Sequence, residues 1–348
     1  DTPSNEVTAK RTLWVYLRFL FFQGHPDKGC IMIPVELIPK NGEMLQKCIL
    51  QNIDNWGLKD DFRHWIVNHN IFCNTLVDRI VPGVGRELLS EEWEKLGYQD
   101  TAITQGEAFH FWVIEGPEIV QEELPLDKAG LNVIFTHDLT PYRTRKVRIL
   151  NGAHTSMVPV GYLYGTETVR KTVEHEVMGK FVLKTIFEEI IPTLDLPDDE
   201  LRQYANDVLD RFKNPFIKHQ LISIALNSVS KFETRVLPSL LEYYNRKGML
   251  PINLVFSLAA LLTFYKGTYR GKTIPLNDDP EAIAFLADLW QNCDGSEESL
   301  SELAEKVLGW EYAWKKDLNS IDGLKEMLAD HLSAIEVKGI QQAVADIL

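Results

Sequence analysis

The segment Lys-Val-Arg-Ile-Leu-Asn-Gly-Ala-His, residues 146–154, combines three side chains suited to proton transfer. Lys146 offers an amine, Asn151 an amide and His154 an imidazole. On an α-helix, with about 100° per residue, Asn151 and His154 would lie about 140° and 80° from Lys146, so the three could line one side of a helix. The same residues also suit a solvated lysine, a capping asparagine and a structural histidine. Spacing alone favours that second interpretation.

The chemistry that would use this trio is the oxidation of a secondary alcohol, or its reverse. A proton leaves the oxygen while a hydride leaves the carbon for a nicotinamide cofactor. A lysine accepts that proton only when neutral, so burial or nearby positive charge must lower its pKa by about three units from about 10.4. Asn151 could donate its amide N–H to the developing oxygen, and His154 could orient the substrate hydroxyl. The arrangement requires no metal.

The chain that precedes the trio has the pattern of an α/β fold. An apolar helix over 12–22 and a turn at Gly24–Gly29 lead to a dense apolar run over 30–38, which we interpret as a buried strand. A helix with Met44, Leu45, Cys48 and Ile49 on one face follows the break at Pro39–Gly42. Further strands are predicted over 109–115 and 131–135. This order is one αβα step of a sheet protein.

Downstream of the trio the pattern changes to successive helices. The clearest begins at Asp198 or Asp199 as a cap and presents a periodic apolar face made of Leu201, Tyr204, Ala205, Val208, Leu209 and Phe212. Other helices are predicted over 178–191, 219–232, 254–266, 300–308 and 324–335. We therefore predict two domains, residues 1–139 and residues 140–348, the second mainly helical.

Composition excludes several classes of protein. The 348 residues suit two domains. A net charge of −14 argues against nucleic acid as a partner. The longest apolar stretch, Leu254–Tyr265, is shorter than the roughly 20 residues that cross a bilayer, so no membrane partner is expected. The 4 cysteines lie far apart without a CxxC pair, which favours reduced thiols and a cytoplasmic protein.

The segment 146–154 resembles the Lys-x4-Asn-x2-His signature of the mannitol dehydrogenase family, the polyol-specific long-chain dehydrogenases. The resemblance extends from about Ala9 to the C-terminus. Four further blocks carry it: PVELIPKNG (34–42), FCNTLVDRIVPG (72–83), GEAFHFWVIEG (106–116) and NPFIKHQLISIALNSVSKFETRVLP (214–238). The blocks are most similar to the members that interconvert D-tagaturonate and D-altronate.

The resemblance implies a partial Rossmann-like dinucleotide-binding domain followed by a mainly helical substrate domain. It assigns Lys146 as general acid and base, Asn151 as the donor to the reacting oxygen and His154 as the substrate-orienting group. Asn41 matches a family asparagine that faces the same oxygen. The implied cofactor is NAD, and the implied partner is a small sugar acid bound by a monomer or homodimer. Fructuronate reductase or mannitol dehydrogenase activity, and a non-catalytic sugar-acid-binding module, are the alternatives.

An anionic substrate needs a cation that a neutral polyol does not need. The candidates are Lys231, Arg235, Lys266, Arg270 and Lys272. Most such groups face solvent or form local ion pairs, and we expect one or two of the five to bind the carboxylate. His219 and Asn227, polar groups in an otherwise apolar predicted helix, could line the same pocket or brace a neighbouring helix.

One feature departs from the family pattern. A Rossmann domain approaches the cofactor pyrophosphate through a glycine-rich turn between strand and helix. The nearest match is Gly83-Val84-Gly85, which follows Pro82 and lacks a third glycine, so we interpret it as a loop. The chain also starts at Asp1 rather than Met and has no signal-like segment. We expect it to start at an internal cut that omits the first βαβ units, which leaves the cofactor-binding residues unassigned.

Overall fold

The computed structural model describes residues 6–81 and 86–348, and for residues 86–88 the backbone alone. Gly83-Val84-Gly85 therefore lies outside the described residues. The chain divides into two compact units: the first contains residues up to 81 together with 106–143, and the second contains 82–105 together with 144–348.

The helices and strands up to the end of the first unit are, in chain order, α1 (Val7–Phe21), β1 (Ile31–Met32), α2 (Asn41–Asn55), α3 (Asp60–His69), β2 (Ile71–Phe72), β3 (Asn74–Asp78), α4 (Arg86–Leu96, in the second unit), β4 (Phe111–Glu115), α5 (Ile119–Glu123) and β5 (Val133–Thr136). Short 3₁₀ turns cover Pro26–Lys28 and Asp127–Ala129.

The first unit is built on short strands with helices packed beside them. Strand β1 pairs with β2 in parallel, β3 pairs with β4 antiparallel, and β4 pairs with β5 in parallel. Helices α1, α2 and α3 share a small core in which the Tyr16 and Phe19 rings contact Phe62 at 5.0 and 5.2 Å between centroids. The predicted strands near 109–115 and 131–135 are confirmed as β4 and β5.

The predicted strand over 30–38 is largely wrong. Only Ile31 and Met32 join a ladder, and Val35, Leu37 and Ile38 are 49%, 82% and 48% exposed. Pro34 lacks the N–H that would continue a ladder. The segment that follows Met32 is therefore a loop that runs to the first turn of α2.

The second unit continues with helices α6 (Thr140–Arg145, which begins in the first unit), α7 (Gly152–Tyr164), α8 (Val169–Glu174), α9 (Glu176–Lys184), α10 (Asp198–Phe212), α11 (Leu221–Ile224), α12 (Ser228–Arg235), α13 (Leu237–Lys247), α14 (Ile252–Phe264), strands β6 (Thr268–Tyr269) and β7 (Lys272–Thr273), and helices α15 (Pro280–Gln291), α16 (Glu297–Leu308), α17 (Glu311–Trp314), α18 (Leu324–Lys338) and α19 (Ile340–Asp346). Two π-helical turns cover Lys146–Asn151 and Thr185–Ile190, and a 3₁₀ turn covers Ile191–Thr193.

Helix α14 is the centre of the second unit. Every residue over 253–264 is buried, as expected for a helix that is apolar all round. Its first turn is capped from another helix, because the two carboxylate oxygens of Glu189 accept the N–H groups of Asn253 and Leu254, each at 2.8 Å. Among the helices that the structure describes, none is long and apolar enough to cross a bilayer.

Two expectations for the helical region need correction. Helix α10 carries the predicted buried face, but Pro197 occupies its N-cap position and no side chain caps it. Asp198 and Asp199 lie inside the first turn, where their charge suits the helix dipole. The single helix predicted over 219–232 is two helices, α11 and α12, because Asn227 adopts a left-handed backbone with φ of 53°.

Candidate active site

A π-helical turn carries two of the three residues of the trio. Over Lys146–Asn151 the helix closes with i→i+5 bonds, and the Gly152 N–H bonds the Val147 carbonyl. Such a turn rotates each residue by less than 100°, so it brings Asn151 and His154 closer to the face of Lys146 than an α-helix would. The expected α-helical spacing is therefore wrong in detail, and the correction favours convergence.

The π turn is fastened on both sides. Next to Lys146, Arg145 bonds Glu200 at 2.5 Å and lies over the Tyr204 ring of α10 at 4.4 Å. At the other end, a Cβ on Gly152 would lie 3.1 Å from the carbonyl oxygen of Arg235. Glycine at this position therefore allows the end of α12 to approach the start of α7 closely.

His154 is buried and incompletely bonded. Its ring is 6% exposed, and its Nε2 is buried without a hydrogen-bond partner among the described residues. The ring stacks on Phe212 with 4.3 Å between centroids and meets the His219 ring edge-on at 5.3 Å. A buried polar atom without a partner costs about 1–3 kcal/mol, so this nitrogen marks a position where a ligand can bond.

Positive charge surrounds this histidine. Burial, followed by the charges of His219, Arg235, Arg211 and Lys231, lowers the pKa of His154 well below its ordinary value. Burial also lowers the pKa of His219. His154 is therefore a neutral imidazole in a cationic environment. We refer to His154, Arg211, Phe212, His219, Lys231 and Arg235 as the His154 cluster.

Lys231 and Arg235 come from one face of α12. The Lys231 Nζ donates to the carbonyl oxygen of Ile224 at 2.8 Å. Burial, and then the charge of Arg235, lowers the pKa of Lys231 to about 8, while Asp278 acts in the opposite direction. Arg235 is partly buried, and burial lowers its pKa. No hydrogen bond or ion pair joins its guanidinium to any described residue.

The other predicted cations lie in different surroundings. Lys266 forms an ion pair with Glu336 at 2.7 Å and lies over the Trp290 ring at 4.6 Å. Arg270 and Lys272 are exposed on the β6–β7 hairpin. None of the three is among the main charges that act on His154. The ammonium of Lys266 already has a carboxylate partner, which favours a structural ion pair, and its substrate role stays a prediction.

Asn41 has a structural role in the first unit. Its Nδ2 donates to the carbonyls of Pro34 and Glu36 at 3.1 Å, and its Oδ1 accepts the N–H of Thr75 at 2.8 Å. The side chain is 2% exposed and fastens the loop before α2 to strand β3. These bonds use both ends of the Asn41 amide and favour a structural role, and the expectation that Asn41 faces the reacting oxygen stays a prediction.

Sequence reasoning missed Arg211 and the stacking role of Phe212. Phe212 was assigned to the buried face of α10, and Arg211 precedes it at the last turn with 9% exposure. An arginine beside the apolar face of a helix is a weak signal, because long basic side chains ordinarily reach solvent from such positions. Its burial here supplies charge to the His154 cluster.

The described residues supply only part of a nicotinamide-dependent reaction. The trio can exchange a proton, but no protein side chain accepts a hydride, so an added acceptor has to supply that chemistry. The first turn of α2 does not fit a pyrophosphate, because the N–H groups of Gly42 and Glu43 already bond Asn74 Oδ1 at 3.1 and 3.2 Å. We assign no described residue to the cofactor.

Family models match both parts of the chain. The mannitol dehydrogenase Rossmann domain matches residues 8–128, and the mannitol dehydrogenase C-terminal domain matches residues 138–336. These matches confirm the resemblance and the predicted fold class.

Relatives of high identity carry a single description. The chain is 48% identical to the altronate oxidoreductase of Bacillus subtilis (strain 168) over 344 residues, which are 99% of this chain and 70% of the relative. It is 46% identical to the altronate oxidoreductase of Phocaeicola vulgatus, over 100% of this chain and 72% of the relative.

Two solved structures share the fold. The mannitol 2-dehydrogenase of Pseudomonas fluorescens, in a ternary complex with NAD and D-mannitol, matches with a TM-score of 0.74 and 20% identity. A substrate-free D-sorbitol dehydrogenase matches with a TM-score of 0.77 and 23% identity. The two matches include 98% and 97% of this chain, which spans 66% of the length of each solved chain. With both domain models matched, the chain belongs to the mannitol dehydrogenase family.

Proposed function

We propose that this protein catalyses the NAD-dependent interconversion of D-tagaturonate and D-altronate. The two relatives at 48% and 46% identity support the substrate, since both are altronate oxidoreductases. The observation that carries the chemistry is the buried, unpartnered Nε2 of His154 directly after the π turn of Lys146 and Asn151. The 4 cysteines are free thiols, which supports a reducing compartment such as the cytoplasm.

The proposed division of labour follows from the donor and acceptor groups. Lys146 takes the proton from the alcohol oxygen of D-altronate during oxidation and returns it during reduction of D-tagaturonate. Asn151 donates its amide N–H to that oxygen, where negative charge develops. His154, held neutral, bonds a substrate hydroxyl through Nε2. A bound NAD would supply the acceptor for the hydride that leaves the same carbon, and with the proton on Lys146 the two electrons and the proton would balance.

The test is an NADH oxidation assay of the chain with D-tagaturonate, D-fructuronate and D-fructose as separate substrates. The proposal predicts the highest kcat/KM with D-tagaturonate. Preference for D-fructuronate or D-fructose would assign the chain to a sister activity of the family. Absence of NADH oxidation with all three, together with sugar-acid binding by calorimetry, would favour a non-catalytic binding module.

A further inference from the structure

The largest charge effects on His154 are all positive. They come from His219, Arg235, Arg211 and Lys231. Asp278 is an acid whose charge acts on Lys231, but its carboxylate already accepts hydrogen bonds from the hydroxyl of Tyr265 and the N–H of Val229.

Arg235 is the member of the cluster whose charge is least compensated. Its guanidinium is partly buried on α12 and forms no ion pair within the described part of the chain, whereas the Lys231 ammonium donates to a carbonyl oxygen. A buried charge without a partner destabilises the fold, and proteins retain one chiefly where a ligand of opposite charge neutralises it. The fork of guanidinium donors matches the two oxygens of a carboxylate.

The unpartnered Nε2 of His154 is independent evidence for a ligand at the same place. This atom is buried in a ring that is 6% exposed, and Arg235 is among the charges that lower the pKa of that ring. A hydroxyl and a carboxylate on one small molecule would therefore satisfy two groups that the protein leaves incomplete.

We propose that Arg235, supported by Lys231, binds the carboxylate of the substrate and makes this site prefer an acidic sugar to a neutral polyol. The inference rests on the proposed function and narrows five candidate cations to these two. Gly152 contributes to the geometry, because its missing side chain lets the Arg235 backbone approach the turn that carries Asn151.

Ligand binding has a protonation consequence. A carboxylate beside Lys231 and His154 raises the pKa of both groups, opposing the lowering by burial, Arg235, Arg211 and His219. Near pH 8, where Lys231 is about half protonated, binding of D-altronate therefore takes up protons. The charge of Asp278 raises the pKa of Lys231 in the free and in the bound protein, so it does not change the direction of this effect.

The experiment is calorimetric titration of the chain with D-altronate and with altritol, its neutral counterpart. We expect the wild type to prefer D-altronate, and Arg235→Leu to lose about 30- to 100-fold of its affinity for D-altronate while its affinity for altritol changes little. Arg235→Lys should restore part of the preference, because it returns the charge without the fork. Lys272→Met is the matched control and should bind both ligands as the wild type does.

Repeating the titration at pH 8 in buffers of different ionisation enthalpy measures the proton uptake. Uptake that is present in the wild type and reduced in Lys231→Met supports the inference, and a structural role alone would not produce it. A wild type without preference for D-altronate, or an Arg235→Leu variant that keeps the full preference, overturns it. NADH oxidation with D-tagaturonate that survives in an Arg235→Leu variant with unchanged KM would overturn the inference and leave the proposed function standing.

Discussion

Two buried polar networks, one in each unit, differ in how completely they are bonded. In the first unit, Asn41 uses both ends of its amide to join the loop at Pro34 to strand β3. In the second unit, His154 keeps a buried nitrogen without a partner, and Arg235 keeps a charge without an acid. Burial of a polar group therefore does not identify a site. Incomplete bonding points to one only where charged groups surround the buried atom, as they do at His154, because Trp112 Nε1 and His331 Nε2 are also buried without a partner.

The largest effect is expected at the proposed base. Lys146→Met removes the proton acceptor, so turnover with NADH and D-tagaturonate should fall by about 10²- to 10⁴-fold. Lys171→Met, which removes an exposed partner of Glu167, is the matched control and should keep wild-type turnover. Thermal melting checks that both variants fold. Near-normal rates in Lys146→Met would exclude this lysine from the mechanism.

A pair of asparagine variants tests the comparison directly. Asn41→Ala leaves the buried N–H of Thr75 without its acceptor and removes the donor to the carbonyls of Pro34 and Glu36, so the free energy of unfolding should fall by about 2–4 kcal/mol in a urea titration. Asn151→Ala should reduce turnover by about 10²-fold and change stability by less than about 0.5 kcal/mol. If both variants lose only stability, the distinction between the two networks is wrong.

Histidine burial predicts a loss of stability in acid. Burial lowers the pKa of His331 to about 4, whereas an unfolded histidine titrates near 6.5. The unfolded state binds more protons between these values, so this group's contribution is present above pH 6.5 and is lost as the pH falls toward 4.

His331→Leu should therefore lose less stability than the wild type between pH 7 and pH 5, by on the order of 1 kcal/mol. Urea unfolding curves at the two pH values measure the difference. Glu189, whose pKa burial raises to about 7, acts in the opposite direction in both proteins, so the comparison cancels it. Equal acid losses in the two proteins would contradict the prediction.

The smallest effect is expected at Gly152. A methyl group there would meet the Arg235 carbonyl oxygen at 3.1 Å, so Gly152→Ala should displace the end of α12 by a few tenths of an ångström. We expect KM for D-tagaturonate to rise by about 2- to 5-fold, at similar stability. The control is Ser223→Ala, at an exposed position on α11. Gly165→Ala would not serve, because the φ of 106° at Gly165 strains any residue with a side chain. An unchanged KM in Gly152→Ala would show that this approach does not position Arg235.

Periodic apolar patterns predicted the helices well, because burial of one face dominates their energy. Helix α10 and the all-apolar α14 occur where their sequences indicate. The strand over 30–38 failed because Pro34 ends the ladder. Asparagine tolerates the left-handed conformation that divides α11 from α12 at Asn227, but it adopts that conformation too rarely for the residue type to predict the break.

The candidate residues of the site come from the resemblance of residues 146–154 to the family signature, since the spacing of Lys146, Asn151 and His154 alone favours ordinary roles. Their geometry could not be predicted, because an i→i+5 turn leaves no signature in residue types. The role of Arg211 and the preference for Arg235 over Lys266 could be inferred only from tertiary contacts. Glu336, for example, forms an ion pair with Lys266 but is distant from it in sequence.

The most direct measurement is the titration of His154, followed by the ring nitrogen and carbon signals in NMR, in the free protein and with D-altronate bound. The account predicts that the free imidazole stays neutral down to well below pH 6.5. It also predicts that D-altronate raises the pKa of His154, because the ligand carboxylate compensates the surrounding positive charge. A free His154 that titrates near 6.5, or one that does not respond to D-altronate, would contradict the account.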